Sequence, residues 1–293
     1  AGPLPPVRAA EEPGPRADPG CSMALRLGGL RGARAVRLGL LVPLLGRELR
    51  SCRAWTLQNE ANVESAGAGH RLSLSAGGVV YASGSNSYGQ LGDGTTTDRS
   101  SPVPVQAGVQ SVAVGAFHSL LLRHDGEVHA AGWNAWGQLG GRCTCGPASP
   151  ECRACLWDRP FQASPALVQV GVLAVAAGAA HSVFLARDGT ASAVGWNARG
   201  QLGDGTLTSR RHAVQVMTGV RGVAAGASHS LFLMNDTNGT VYATGANSNG
   251  QLGDGTATDR SVPVLVRTGV RSVVAGVAQT LFLMMDGTVQ ATD

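Results

Sequence analysis

Four copies of Gly-x-Asn-x-x-Gly-Gln-Leu-Gly, at Gly84–Gly92, Gly132–Gly140, Gly195–Gly203 and Gly245–Gly253, follow in fixed order behind four copies of Gly-Ala-x-His. The second motif begins at Gly67, Gly115, Gly178 and Gly226, and a degenerate fifth copy, Gly276-Val277-Ala278-Gln279, comes after them. Its start-to-start spacings are 48, 63, 48 and 50 residues. A period of about 50 without helical patterning restricts the chain to a propeller or a β-solenoid, in which each repeat buries its apolar face only against its neighbours. Gly makes up 42 of 293 residues, and these sit at repeat positions, so they read as turn residues of an ordered fold.

The second repeat shows the unit most clearly. Val109 to Val114 alternates as a strand, His118 to Arg123 is an apolar run, and Asp125-Gly126 is a hairpin signal ahead of Glu127 to Ala131. Asp-Gly tolerates positive φ, so a two-residue turn is expected there, recurring at Gly77-Gly78, Asp188-Gly189 and Asp286-Gly287. After Gly-Gln-Leu-Gly come a polar loop, Asp93 to Arg99, and the extended segment Ser101-Pro102-Val103-Pro104-Val105. Prolines lack an amide donor, which places this fourth strand at a sheet edge. Ala213 to Val216 and Val262 to Val266 repeat the pattern. Four strands per repeat, the fourth outermost, describe an all-β propeller blade. Four repeats are complete and the fifth reaches its third strand at Asp293. Either Trp55-Thr56-Leu57-Gln58 supplies the missing strand and closes a five-bladed ring, or the blades form an open arc, the preferred arrangement, whose unpaired edges invite association.

Taken in order, Gly-Ala-x-His-Ser-Leu, Asp-Gly-x-Val, Gly-x-Asn-x-x-Gly-Gln-Leu-Gly-Asp-Gly-Thr and a trailing Pro-Val resemble the repeats of the regulator of chromosome condensation family over about residues 60 to 292. The resemblance implies a β-propeller, usually of seven blades. It also implies a protein partner, since family members include a nucleotide-exchange factor for the Ran small GTPase, ubiquitin-ligase scaffolds and secreted bacterial inhibitors of β-lactamase. A small GTPase or a ubiquitin-pathway component is thus the implied kind of partner, and a cytoplasmic or nuclear location the implied compartment. One fold with several unrelated roles does not choose among them.

Charge divides the chain. Residues 1–52 hold eight Arg against four acids, which leaves fifteen of each sign in 53–293. A formally neutral repeat region lacks the basic footprint of a nucleic-acid binder, so direct nucleic-acid binding is not expected. All 23 basic residues are Arg, and the absence of Lys excludes the usual phosphate-binding P-loop, Schiff-base chemistry and a lysine general base. Residues 1–52 read as a disordered or targeting leader and 53–293 as the repeat domain. From Met23 to Arg50 six Arg flank the run Leu38 to Leu45, which suits either an organellar or secretory leader starting at Met23 or a basic segment without an address. That run is too short to span a bilayer.

His70, His118, His181 and His229 share one repeat position. Identical placement argues for scaffold, each imidazole bonding a backbone group within its own blade, because an active site needs different groups converging. Asn86, Asn134, Asn197 and Asn247 read as turn-stabilising side chains. The loops Asp93 to Asp98 and Asp254 to Asp259 lack the ligand number and distal Glu of calcium loops and read as hydroxyl-capped turns.

The insertion 141–162 carries Cys143, Cys145, Cys152 and Cys155, which fit a structural zinc knuckle, two local disulfides or free thiols. Its length makes it a candidate partner contact. Asn235-Asp236-Thr237 and Asn238-Gly239-Thr240 are adjacent sequons that matter only on a secretory route. Trp133, Trp136 and Trp196 flank the Gly-x-Asn turn; they either pack between blades or stand on one face as partner-binding anchors. The sequence therefore specifies a non-catalytic protein-interaction scaffold without a required cofactor. Guanine-nucleotide exchange on a small GTPase, with the insertion as wedge, is the alternative, and a secreted inhibitor or binding protein the second.

Overall fold

A computed structural model describes residues 63–141 and 159–292. The described residues form five antiparallel sheets in succession. The first holds β1 (Val63–Ala66), β2 (His70–Leu74), β3 (Val80–Gly84) and β4 (Arg99–Gln106), and the second β5 (Val109–Val114), β6 (His118–Arg123), β7 (Val128–Trp133) and β8 (Phe161–Gln169). The third holds β9 (Val172–Ala177), β10 (His181–Ala186), β11 (Ala191–Gly195) and β12 (Arg210–Met217). The fourth holds β13 (Val220–Ala225), β14 (His229–Met234), β15 (Val241–Gly245) and β16 (Arg260–Arg267), and the fifth has three strands, β17 (Val270–Ala275), β18 (Thr280–Met284) and β19 (Val289–Ala291). Every sheet runs in chain order, so the proline-bearing strands β4, β8 and β16 are outermost as their missing donors require.

Each first strand packs on the first and second strands of the preceding sheet, so the sheets follow one another as propeller blades. Among the described residues the five sheets form an open series, not a closed ring. Trp55 to Gln58, the candidate closing strand, lie outside the described residues.

The core lies in the seams between sheets. Leu72, Leu74 and Val80 of the first sheet meet Val109, Val112 and Leu121 of the second, and Leu231, Leu233 and Val241 of the fourth meet Val270 and Phe282 of the fifth. In a sheet covered on both sides the second strand is an apolar run rather than an alternation, because both of its faces are buried. That is the pattern of β6, β10 and β14, whereas β2 alternates; β18 is apolar after Thr280, but only Thr280 and Phe282 of it are buried.

The hairpins differ from the two-residue turn expected. Arg123 N–H bonds the Glu127 carbonyl and Gly126 N–H the Arg123 carbonyl, so His124, Asp125 and Gly126 form a three-residue loop with Gly126 at φ 88°. This is a type I turn followed by a left-handed residue, the next commonest hairpin solution, and the Asp125 carboxylate accepts the Glu127 N–H at 3.0 Å to fix it.

Candidate protein-binding face

The repeated polar residues form the seams. At the first seam Ser119 Oγ donates to the Gln90 carbonyl at 2.7 Å and lies 3.0 Å from His70 Nε2. A hydroxyl has one proton, and here the carbonyl takes it, so His70 is the neutral tautomer that donates from Nε2. The arrangement recurs with Ser182 between His118 and Gln138, Ser230 between His181 and Gln201, and Thr280 between His229 and Gln251. The histidines are scaffold, as expected. Their partner is a hydroxyl of the next sheet, however, not the backbone of their own.

Burial drives all four imidazoles toward the neutral form, His70 and His229 to about 4 and His118 and His181 to about 3, with neighbouring histidines adding to the shift at His118 and His181. A Cβ on Gly115 would strike both the His118 ring and the Gly178 carbonyl of the next sheet, which explains why Gly opens this motif. Next to it, Ala116 N–H bonds the Ala179 carbonyl, Ala179 that of Ala227, and Ala227 that of Val277, at 3.2, 3.0 and 3.3 Å. These segments line an open groove of about 460 Å³ whose walls, among the described residues, are Ala, Gly and Val, none of which is an acid, base or nucleophile.

The asparagines cap the loops that follow. Asn86 Oδ1 accepts the Leu91 N–H at 3.0 Å, while its Nδ2 donates to the Asp93 carboxylate and to the Thr95 and Thr97 carbonyls. Asp93 is held from its other side by Arg99 Nε at 2.6 Å. Asp204 with Arg210 and Asp254 with Arg260 repeat the pair. Burial pushes the Asp254 carboxyl up, but hydrogen bonds from Thr256, Arg260 and Asn247 outweigh it and hold the group at about 2. These loops are the hydroxyl-capped turns expected. The arginines, six residues after each Asp, were not foreseen, although the Asp-x5-Arg spacing recurs three times in the sequence.

The turns after the first and third strands project at the same end of every sheet. At this end Tyr88, Phe117 and Trp133 form one ring cluster, with centroids 5.6 Å apart for Tyr88 and Phe117, 6.1 Å for Tyr88 and Trp133, and 6.2 Å at 90° for Phe117 and Trp133. Tyr88 comes from the first sheet and the other two from the second. Trp133 is directly opposite Phe161 in the β7–β8 register, and opposed residues share a face. Tyr88, Phe117, Trp136 and Phe161 are all exposed, between 38 and 43%. Of the three tryptophans singled out by sequence, Trp133 is half-buried within the cluster, Trp136 stands exposed on the next turn, and Trp196 is half-buried with no part in the ring cluster. Tyr88 and Phe117 were missed.

Cys143, Cys145, Cys152 and Cys155 lie outside the described residues, and so does most of the 141–162 insertion. The chain leaves for it after Gly140 and returns at Pro160, whose carbonyl accepts the Asn134 N–H at 2.8 Å, so its two ends emerge beside Trp133 and Trp136. Among the described residues no helix is long and apolar enough to cross a membrane.

Successive four-stranded sheets riveted through identical side chains define a propeller-repeat protein whose distinguishing surface is aromatic. The Regulator of chromosome condensation (RCC1) repeat matches residues 77–122, 125–185 and 238–283, and a second form of it matches 109–138, 172–201 and 220–251. The chain belongs to this family. No curated protein sequence matches it. Among solved structures it is similar to human WBSCR16 at 25% identity and TM-score 0.65, covering 77% of this chain and 58% of that one. It is also similar to yeast RCC1 (Prp20) bound to Kap60, at 22% identity and TM-score 0.61 over 76% of this chain and 54% of that one. A structure of Saccharomyces cerevisiae Prp20p, described with its binding to Gsp1p and histones, aligns at 21% identity and TM-score 0.60 over 81% and 56%. The chain thus spans just over half the length of the solved chains it matches.

Proposed function

We propose that the protein is a non-catalytic binding scaffold and that a partner protein seats on the aromatic face of its first two sheets. The observation that carries this reading is that the exposed members of the aromatic set, Tyr88, Phe117 and Trp136, occur at their repeat positions only in those sheets, whereas the half-buried Trp133 recurs as Trp196 in the third. At the position of Tyr88 the later repeats have Trp136, Arg199 and Asn249, and at the position of Phe117 the other repeats have Gly69, Ala180, Ser228 and Ala278. Seam residues repeat because every seam needs them; an exposed aromatic group confined to one place has no such structural requirement and is the surface type that anchors partners.

Affinity capture with wild type and with the Trp133→Ala/Trp136→Ala double variant tests the reading. Central tryptophan anchors are worth about 2 kcal/mol or more, so binding should fall at least about thirty-fold. Partners retained at full affinity by the variant would remove the face from consideration. Guanine-nucleotide exchange places the contact on the 141–162 insertion instead, and release of labelled nucleotide from a panel of small GTPases separates the two readings. The yeast protein characterised with Gsp1p and histones makes that panel the natural first comparison.

A further inference from the structure

We propose that Asn238-Gly239 is a site of spontaneous self-modification, at which Asn238 deamidates through a cyclic imide and loosens the hold of the fourth sheet on the fifth. The sequence has two Asn-Gly pairs, Asn238-Gly239 and Asn249-Gly250, and both asparagines are exposed. Glycine after asparagine leaves the peptide nitrogen unshielded, so in both pairs that nitrogen can reach the side-chain amide carbon. What separates the pairs is the hydrogen bonding of the nitrogen, because an N–H held by a carbonyl has to give up that bond before its nitrogen attacks.

Gly250 N–H is bonded to the Asn247 carbonyl at 2.9 Å. The hairpin glycines are held in the same way, Gly78 by Ser75, Gly126 by Arg123, Gly189 by Ala186 and Gly287 by Met284, each through the carbonyl three residues back. Gly239 is the hairpin glycine of the fourth sheet, and there the pattern breaks. Its hairpin closes from Met234 N–H to the Thr240 carbonyl across five residues, where the other four close across three. The lengthening removes the bond: among the described residues no carbonyl accepts the Gly239 N–H. That N–H faces the Asp236 carboxylate instead, which accepts the Thr240 N–H at 3.0 Å. Hydrogen bonds from Thr240, with smaller contributions from the Gly239 and Asn238 N–H groups, hold the Asp236 carboxyl below its usual range. A carboxylate there can take the proton that the nitrogen has to lose, which a carbonyl does not.

In the reaction the Gly239 nitrogen bonds to Asn238 Cγ, its proton passes by way of the Asp236 carboxylate or water to the departing amide nitrogen, and ammonia leaves. Water then opens the imide at either carbonyl. Opening at Cγ gives aspartate, the residue already present at this position as Asp125, Asp188 and Asp286. Opening at the main-chain carbonyl gives isoaspartate, which lengthens the main chain by a methylene and turns the former carbonyl into a carboxylate beside it. The change falls where two sheets meet. The Asn238 carbonyl accepts the Gly269 N–H at 2.6 Å and the Gly239 carbonyl the Val270 N–H at 3.0 Å, and a Cβ on Gly239 would strike the Val270 carbonyl, so this turn is seated on the start of β17. Isoaspartate breaks that seating, whereas aspartate leaves it in place. The site shares no residue with the aromatic face.

The test is incubation of the 293-residue chain at mildly alkaline pH, folded and in guanidinium, with conversion at each asparagine followed by peptide mapping and mass spectrometry and isoaspartate identified by enzymatic methyl labelling. In the folded chain Asn238 should convert at least about five-fold faster than Asn249, the factor that one amide hydrogen bond contributes. Unfolding removes the difference in hydrogen bonding, so in guanidinium the two rates should converge. Folded chain enriched in isoaspartate at position 238 should exchange the Gly269 and Val270 amides faster than fresh protein, whereas Asn238→Asp, which keeps the main chain intact, should not. Equal or reversed rates in the folded chain, or a preference for Asn238 that persists in guanidinium, would overturn the assignment of the site. Unchanged exchange at Gly269 and Val270 in the isoaspartate form would overturn its effect on the seam.

Discussion

Replacing Ser182 by Ala tests the seams at the point where two sheets share one hydroxyl. Ser182 Oγ donates to the Gln138 carbonyl at 2.7 Å and accepts from His118 Nε2 at 3.0 Å, and Ser182, His118 and Gln138 are all fully buried. Alanine opens almost no cavity, so the cost is electrostatic: an imidazole N–H and a carbonyl are left without partners where water does not reach. Each orphaned buried group costs about 1–3 kcal/mol, and after local relaxation the pair should cost about 2–4 kcal/mol. Guanidinium unfolding followed by tryptophan fluorescence measures the loss, and hydrogen exchange should place it at the amides of β9 and β10. Ser182→Thr keeps the hydroxyl, as Thr280 does at the fourth seam, and should recover most of the stability. Ser248→Ala, at an exposed turn position, should stay within about 0.5 kcal/mol of wild type. If Ser182→Ala also falls within that margin, the hydroxyl is not what joins the sheets.

The pH dependence follows from the same histidines. Burial lowers their folded-state values to about 3–4 from 6.5, so the unfolded chain binds the extra protons and the stabilisation, complete above pH 6.5, is lost as pH falls toward the folded values. Each histidine should contribute about 1.4 kcal/mol per pH unit across that window, read as falling denaturant midpoints between pH 7 and 4, and His118→Gln should lower the slope by one proton. Gly115→Ala should destabilise by about 1–3 kcal/mol or more, because the new methyl meets the His118 ring, which is held by its hydrogen bond to Ser182, and the Gly178 carbonyl; wild-type stability in this variant would show that the seam has slack.

The fold was legible because its signals are local. Glycines at positive φ, proline in the outer strands and apolar runs in the second strands each state a backbone requirement of their own segment. The seam was harder, since its partners lie 49, 51 or 64 residues apart, with the insertion widening one interval. A signal was present all the same. His occupies its position in repeats one to four and gives way to Gln279 in the fifth, whereas the following residue is Arg71 in the first repeat and Ser or Thr in the other four. A histidine is kept where a described sheet follows, and a hydroxyl where one precedes. That offset states the direction of pairing before any coordinates are consulted. The aromatic cluster was half legible for a different reason: tryptophan draws notice by type, while Tyr88 and Phe117 become informative only when the repeats are aligned and the departures are read.

The units matched by the family repeat begin in one hairpin and end in the second strand of the next sheet, as 77–122 runs from the β2–β3 turn into β6. Each unit therefore carries the outer half of one sheet and the inner half of the next, and the loop that joins them crosses the seam that its own glutamine and serine close. Neighbouring sheets are then tied covalently and through hydrogen bonds at every step, so that the scaffold's stability does not depend on the exposed turns. Those turns are free to differ. In the first two sheets they carry Tyr88, Phe117 and Trp136; in the third and fourth the same position holds Arg199, paired with Asp259 at 3.1 Å across the next seam, and Asn249. A surface residue that changes from aromatic to ion pair without altering the sheet beneath it answers to no need of the fold, and this is the variation expected of the binding face proposed above.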